Sequence, residues 1–178
     1  MPWWGYIIIV SVIFLCVTGI LIWIIAASNK IVILKKKVDR NFPVMNYKIK
    51  DYLIQNDKLL AYYSRKIKKH ARPFENFKKG CDELKDAEGI FAKVEKFHDV
   101  KAKYELFVKN IKKQEVFKGS KKLDEYLLGI EKVQNEIILT IQKYNDAVSV
   151  YNKTISVFPE KIIAERFKFN EMKYFETK

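Results

Sequence analysis

The sequence predicts an all-α protein. A single N-terminal transmembrane helix leads into an antiparallel bundle of long helices, three long ones plus one short C-terminal helix. Three observations carry this. No residue among the first 29 is charged, whereas all 34 Lys and Arg and all 21 Asp and Glu lie from Lys30 onward. Past Ser28, apolar residues recur at steps of three and four, the spacing of a helix face, and the period-two alternation of a strand is missing. Glycine, the residue of tight turns, is sparse, with six in 178 residues.

The apolar run Trp3 to Ala27 is long enough to cross a hydrocarbon core of about 30 Å at about 1.5 Å per residue. Ser11 and Thr18 are its aliphatic hydroxyls, and Trp3, Trp4 and Tyr6 at one end and Trp23 near the other suit the membrane interfaces. Ala26-Ala27-Ser28 is small enough for signal cleavage. The basic leader region is missing, however, and the run exceeds a signal peptide's apolar core, so residues 1–28 read as a retained anchor and 29–178 as one helical bundle domain. Lys30, Lys35, Lys36, Lys37 and Arg40 follow the run closely, which places the domain on the cytoplasmic side of the membrane with the amino terminus outside. The same cluster would be drawn to an anionic inner leaflet by about 1 kcal/mol per charge near the surface.

Ile31, Leu34, Val38, Phe42, Met45, Ile49, Tyr52, Leu59, Tyr63 and Ile67 form one stripe, interrupted at Asn56. The spacing predicts a first helix from the membrane to about Arg72, ended by Pro73, with a kink or short break near Asn41 to Pro43 where Pro43 removes a backbone donor. Phe74, Phe77, Cys81, Leu84, Phe91, Val94, Val108 and Ile111 predict a second long helix, weakly interrupted at Gly80 and Gly89. Gly119-Ser120 is a stop followed by a cap, and a third helix starts there.

In that third helix Leu123, Leu127, Ile130, Gln134, Ile137, Ile141, Tyr144, Val148, Tyr151, Ile155 and Phe158 alternate steps of four and three, the seam of a coiled-coil-like bundle. "YNDAVSVYN" places Tyr144 and Tyr151 in the seam, two turns apart, and Asn145 and Asn152 at its edge. An amide there can bridge to a neighbouring helix and fix its register. Pro159 suits the first turn of a short last helix, docked by Ile163, Phe167, Phe169, Met172 and Phe175.

The net charge of +13 comes almost wholly from lysine, since only Arg40, Arg65, Arg72 and Arg166 are arginines. Lysine attracts a charged surface as a point charge rather than as a bidentate fork, and AT-rich coding accounts equally well for its excess. Cys16 and Cys81 are too few and too separated for a disulfide framework. His70 and His98 lie at no ligand spacing from a cysteine or a carboxylate pair, and phosphate-cradling glycine loops, nucleophile elbows and H-E-x-x-H pairs are all missing. No catalytic, cofactor or metal site is therefore expected. The densest basic run, "RKIKKHAR" from Arg65 to Arg72, reads first as a solvated helix end favoured by the dipole, and second as a lipid-headgroup or nucleic-acid contact lacking interleaved aromatics.

The chain resembles the LemA family of bacterial membrane proteins. "YNDAVSVYNKTISVFPEKIIAERFKF" followed by "KYFE" is similar to that family's YN-x-x-V-x-x-YN, FP-x-x-x-x-A-x-x-F-x-F and YFE ending. The match marks Tyr144, Asn145, Val148, Tyr151, Asn152, Phe158, Pro159, Ala164, Phe167 and Phe169 as family-motif and packing residues. "NKIVILKKKV" and "LIQN" (Leu53 to Asn56) resemble its N-x-L-V-x-L-R-N-x-V and L-I-P-N. Gln134 and Ile141 stand where the family often has Glu and Arg, Gln55 replaces its proline and Lys168 its glycine. The resemblance implies an antiparallel bundle on one N-terminal anchor and no assigned activity.

The functional expectation is a membrane-anchored scaffold or interaction protein, not an enzyme. Its partners would be the bilayer and an unidentified protein, self-association included. The alternative is a membrane-tethered basic module for nucleic acid or another polyanion, which would show a steep loss of affinity with salt. Nucleic acid is the less favoured partner.

Overall fold

The computed structural model describes residues 3–68 and 71–176; Lys69 and His70, the middle of the basic run, lie outside the described residues. Its helices are α1 (Trp3–Asp39), α2 (Asn41–Lys66), α3 (Arg72–Asp86), α4 (Ile90–Ile111), α5 (Lys121–Ser156) and α6 (Glu160–Arg166), with a single 3-10 turn at Glu115–Phe117. Strands are absent among the described residues. The fold class is the all-α bundle that the periodicity predicts.

The chain divides into two compact units. One comprises Met1–Asp39 with Asp146–Lys173, and the other Arg40–Asn145 with Tyr174–Lys178.

In the first unit α1 changes character along its length. Its first turns are apolar and exposed, from Trp3 through Ile25, and only Ala27, Ile31 and Val38 are buried. α6 is the element that packs on it. The helical stripe therefore starts to be covered where the apolar run ends. α6 is closed by Lys168, which adopts the left-handed conformation (φ 57°), so that the Phe169 N–H donates to the Ala164 carbonyl at 2.9 Å. Such a terminator is normally glycine, the residue that Lys168 replaces in the family pattern.

In the second unit α3 and α4 form an antiparallel hairpin, and α2 packs on both. The expected second long helix is thus two helices. Gly89 (φ 78°) takes a backbone conformation closed to most side chains, so the turn Ala87–Gly89 reverses the chain rather than interrupting it weakly. Gly80 acts differently. A Cβ there would meet Lys103 Cδ at 3.0 Å and Val100 Cγ2 at 3.3 Å, so its missing side chain lets α4 lie close.

The first break comes at Arg40, one residue ahead of the expected window, and Pro43 fits inside the first turn of α2 where its missing N–H is not needed. α2 ends at Lys66 rather than Arg72, because Ile67 turns extended (φ −122°, ψ 116°) while its N–H still bonds the Tyr63 carbonyl. Pro73 consequently starts α3 instead of ending α2. Ser120 caps α5 as its position predicts, accepting from the Leu123 N–H at 3.3 Å and sharing a hydrogen bond with the Tyr62 hydroxyl at 2.8 Å. Every seam residue of α5 from Leu123 to Ile155 is buried. An aromatic group, in which the ring of Tyr63 stacks on Phe74 (4.9 Å) and Phe117 (5.6 Å) and meets Phe107 edge-on, fills the far end of this unit.

Candidate interaction site

Two side chains of α5 grip the extended chain that follows α6. Asn145 donates its Nδ2 to the Phe175 carbonyl and accepts the Phe175 N–H on its Oδ1, both at 2.9 Å. Asn152 does the same to Met172, again at 2.9 Å in both directions. Each amide satisfies both polar groups of one residue, as a neighbouring β-strand would.

The tyrosines supply the apolar half of each grip. Tyr144 packs its ring on Phe175 (4.4 Å) and Phe42 (5.3 Å), and Phe175 meets Phe91 at 4.5 Å. Tyr151 is buried and its hydroxyl donates to the Asn170 carbonyl at 3.1 Å. Burial, with the nearby Asp39 charge adding to it, raises the affinity of that phenol for its proton. Val148 and Ala164 are buried, Phe169 is half-buried, and Pro159 stands immediately before α6.

Two corrections to the sequence reading follow. The asparagines bridge to an extended segment and not to a neighbouring helix; Met172 and Phe175 are in that segment rather than in the last helix. Phe158 and Phe167 are not packing residues, being 75% and 55% exposed. α5 ends at Ser156, so the seam count no longer governs Phe158, and Phe167 falls on the outer side of α6 after its last turn.

Of the basic residues that follow the apolar run, Lys30, Lys35, Lys36, Lys37 and Arg40 are all exposed, and Lys30 pairs with Glu160 at 2.6 Å. That hydrogen bond, with the Glu160 backbone amide, lowers the carboxyl's pKa. In the second unit Gln134 donates to the Tyr52 hydroxyl at 3.2 Å inside the core, beside the wholly buried Asn56. Burial pushes the Tyr52 phenol well above its usual range and the Cys81 thiol up to about 12, which leaves both neutral and unreactive. His98 is half-buried with its ring edge-on to Phe97. Among the described residues no group of three His, Cys, Asp or Glu side chains is placed to hold a metal ion.

Sequence reasoning missed Met172, Phe175 and Glu160 as partners. The signal available in the sequence was the repeat of the Tyr-Asn pair after seven residues, which marks a repeated contact without naming what it holds.

The sequence model described as the LemA family matches residues 31–178. The chain belongs to the LemA family. The LemA match starts at Ile31, the first wholly buried residue of α1, so membership rests on the packed helices and the C-terminal grip rather than on the apolar run. No curated protein matches this LemA chain.

Proposed function

We propose that this LemA-family chain is a single-pass membrane protein whose helical domain works as a non-catalytic scaffold at the cytoplasmic face of a bacterial membrane. Its mechanism is tethering: α1 holds the domain at the bilayer, and the packed helices present a fixed surface to a protein partner. The supporting observation is the course of α1, one helix of 37 residues that has no buried residue from Trp3 to Ala26 and is then buried at Ala27, Ile31 and Val38. An apolar rod of that length left bare in water would be unfavourable, whereas a bilayer covers it. Lys35, Lys36, Lys37 and Arg40 favour an anionic leaflet on the domain's side.

Three measurements test this. Alkaline carbonate should leave the chain in the membrane pellet, and its release would remove the anchor. Trypsin should digest the lysine-rich domain in inverted vesicles and spare it in intact spheroplasts; digestion in spheroplasts would reverse the orientation. Crosslinked recovery from native membranes should return a defined protein, and recovery of nucleic acid in its place would replace the scaffold with a polyanion binder.

A further inference from the structure

α6 and the turn before it carry apolar side chains that nothing in the first unit covers. Val157, Phe158, Ile162 and Phe167 are each more than half exposed, while Ile163 and Ala164 on the other face are buried. Within the same stretch Lys161, Arg166 and Lys168 are exposed cations, and the exposed Glu165 lies 3.9 Å from Lys161. An apolar face edged by basic residues is the pattern of a segment lying in a membrane interface.

The position of this stretch along α1 is fixed by two observations. Lys30 pairs with Glu160, the first residue of α6, at 2.6 Å. Lys30 lies three residues past Ala27, about 4.5 Å along a helix, and the polar headgroup layer is roughly 5 to 7 Å thick per leaflet. Ala27, the last residue of the apolar run, is itself buried, so protein already covers α1 at the edge of the hydrocarbon. α6 packs on α1, with its Glu160 at Lys30.

We infer that the Val157–Phe167 turn and helix are a second membrane contact, with Phe158 and Ile162 inserted among the lipids at the boundary between headgroups and acyl chains of an anionic leaflet. This rests on α1 spanning the bilayer, as proposed above. The Lys30–Glu160 pair then acts as a stay that sets the depth of α6, and Arg166 and Lys168 face lipid phosphates.

The test uses the full chain carrying Cys16→Ala, reconstituted in vesicles of phosphatidylcholine and phosphatidylglycerol, with a single environment-sensitive fluorophore at Phe158→Cys, Phe14→Cys or Leu128→Cys. Cys81 stays unlabelled because it is buried and protonated. All three positions are exposed, so folding is not at stake. The probe at 158 should emit to the blue of the probe at 128, and lipids bearing a nitroxide near the headgroup should quench it several-fold more strongly. Iodide in the water should quench it several-fold less. A probe at 158 that matches the one at 128, with the probe at 14 shielded in hydrocarbon, overturns the α6 contact and leaves the anchor standing. A probe at 14 that is open to iodide overturns both. Shielding of 158 from iodide without nitroxide quenching would mean a second protein copy covers it, and the lipid contact would fall.

Discussion

Asn152 holds Met172 by both ends of its peptide group, with its Nδ2 donating to the Met172 carbonyl and its Oδ1 receiving the Met172 N–H, each at 2.9 Å. Asn145 repeats this on Phe175. These two amides fasten Met172 and Phe175, in a segment without helical hydrogen bonds of its own. Asn145→Ala and Asn152→Ala should therefore each cost about 1 to 3 kcal/mol, because a half-buried backbone pair loses its partner. Hydrogen exchange at the amides of Met172 and Phe175 is the specific readout. Each amide should lose protection in its own variant, and unchanged exchange would mean that the grips do not form in solution.

The rings beneath the grips carry more. Tyr144→Ala should lower stability by about 3 to 5 kcal/mol, since it empties a site packed by Phe42, Phe91 and Phe175. Tyr151→Phe keeps its ring and loses only the bond to the Asn170 carbonyl, so about 1 kcal/mol is expected. Thermal unfolding followed by circular dichroism, with the exposed Lys153→Ala as reference, ranks the three. Should Tyr144→Ala melt with the reference, the α5 seam would not be a core.

Lys168 is a side chain held in a backbone conformation that favours glycine. Lys168→Gly should raise stability by about 1 kcal/mol by removing that strain at the end of α6. A fall in the unfolding midpoint would show that the lysine side chain contributes more than its backbone costs.

Acid should loosen the contact between α1 and α6. The pKa of Glu160 is lowered by its hydrogen bond to Lys30. A carboxyl whose folded pKa lies below its unfolded value adds stability above the unfolded value, near pH 4.5, and loses it as pH falls through the folded value. The unfolding midpoint should drop below about pH 4.5, and Glu160→Gln should flatten part of that drop. Glu83 and Glu136, also lowered by lysine partners, contribute in the same direction, so the comparison must be between variant and parent.

At the alkaline end the sign reverses. The pKa of Cys81 is pushed up by burial to about 12, so its neutral form is the folded one. A disulfide reagent at pH 8 should label Cys81 at the rate of unfolding and not at the rate of an open thiol. Rapid labelling of the folded chain would contradict its burial between helices.

The seam of α5 was legible because burial imposes one period on the ten residues from Leu123 to Ile155, and a helix-wide pattern survives any local exception. Phe158 was misplaced for the same reason: the pattern can be counted past Ser156, although the helix that produced it has stopped. Gly89 was underrated because nothing beside it distinguishes a glycine needed for positive φ from one such as Gly80, which is needed for close approach. The partners of Asn145 and Asn152 were illegible for a different cause. An asparagine binds backbone, and backbone has no letter in the sequence. Membership in a helical family told where these residues recur, while the grip itself depends on where eight residues of extended chain come to rest.

The pairing of Lys30 with Glu160 has a mechanical corollary. Between Trp3 and Lys30 the chain is helical throughout, Gly5 and Gly19 included. If the apolar run spans a bilayer as proposed, part of any rise or sinking of the span in a bilayer of different thickness reaches α6 through this pair, the remainder being taken up by tilt and by the lipid. The anchor would then be a push-rod as well as a tether, with the hydrocarbon thickness around it an input to the folded part of the chain.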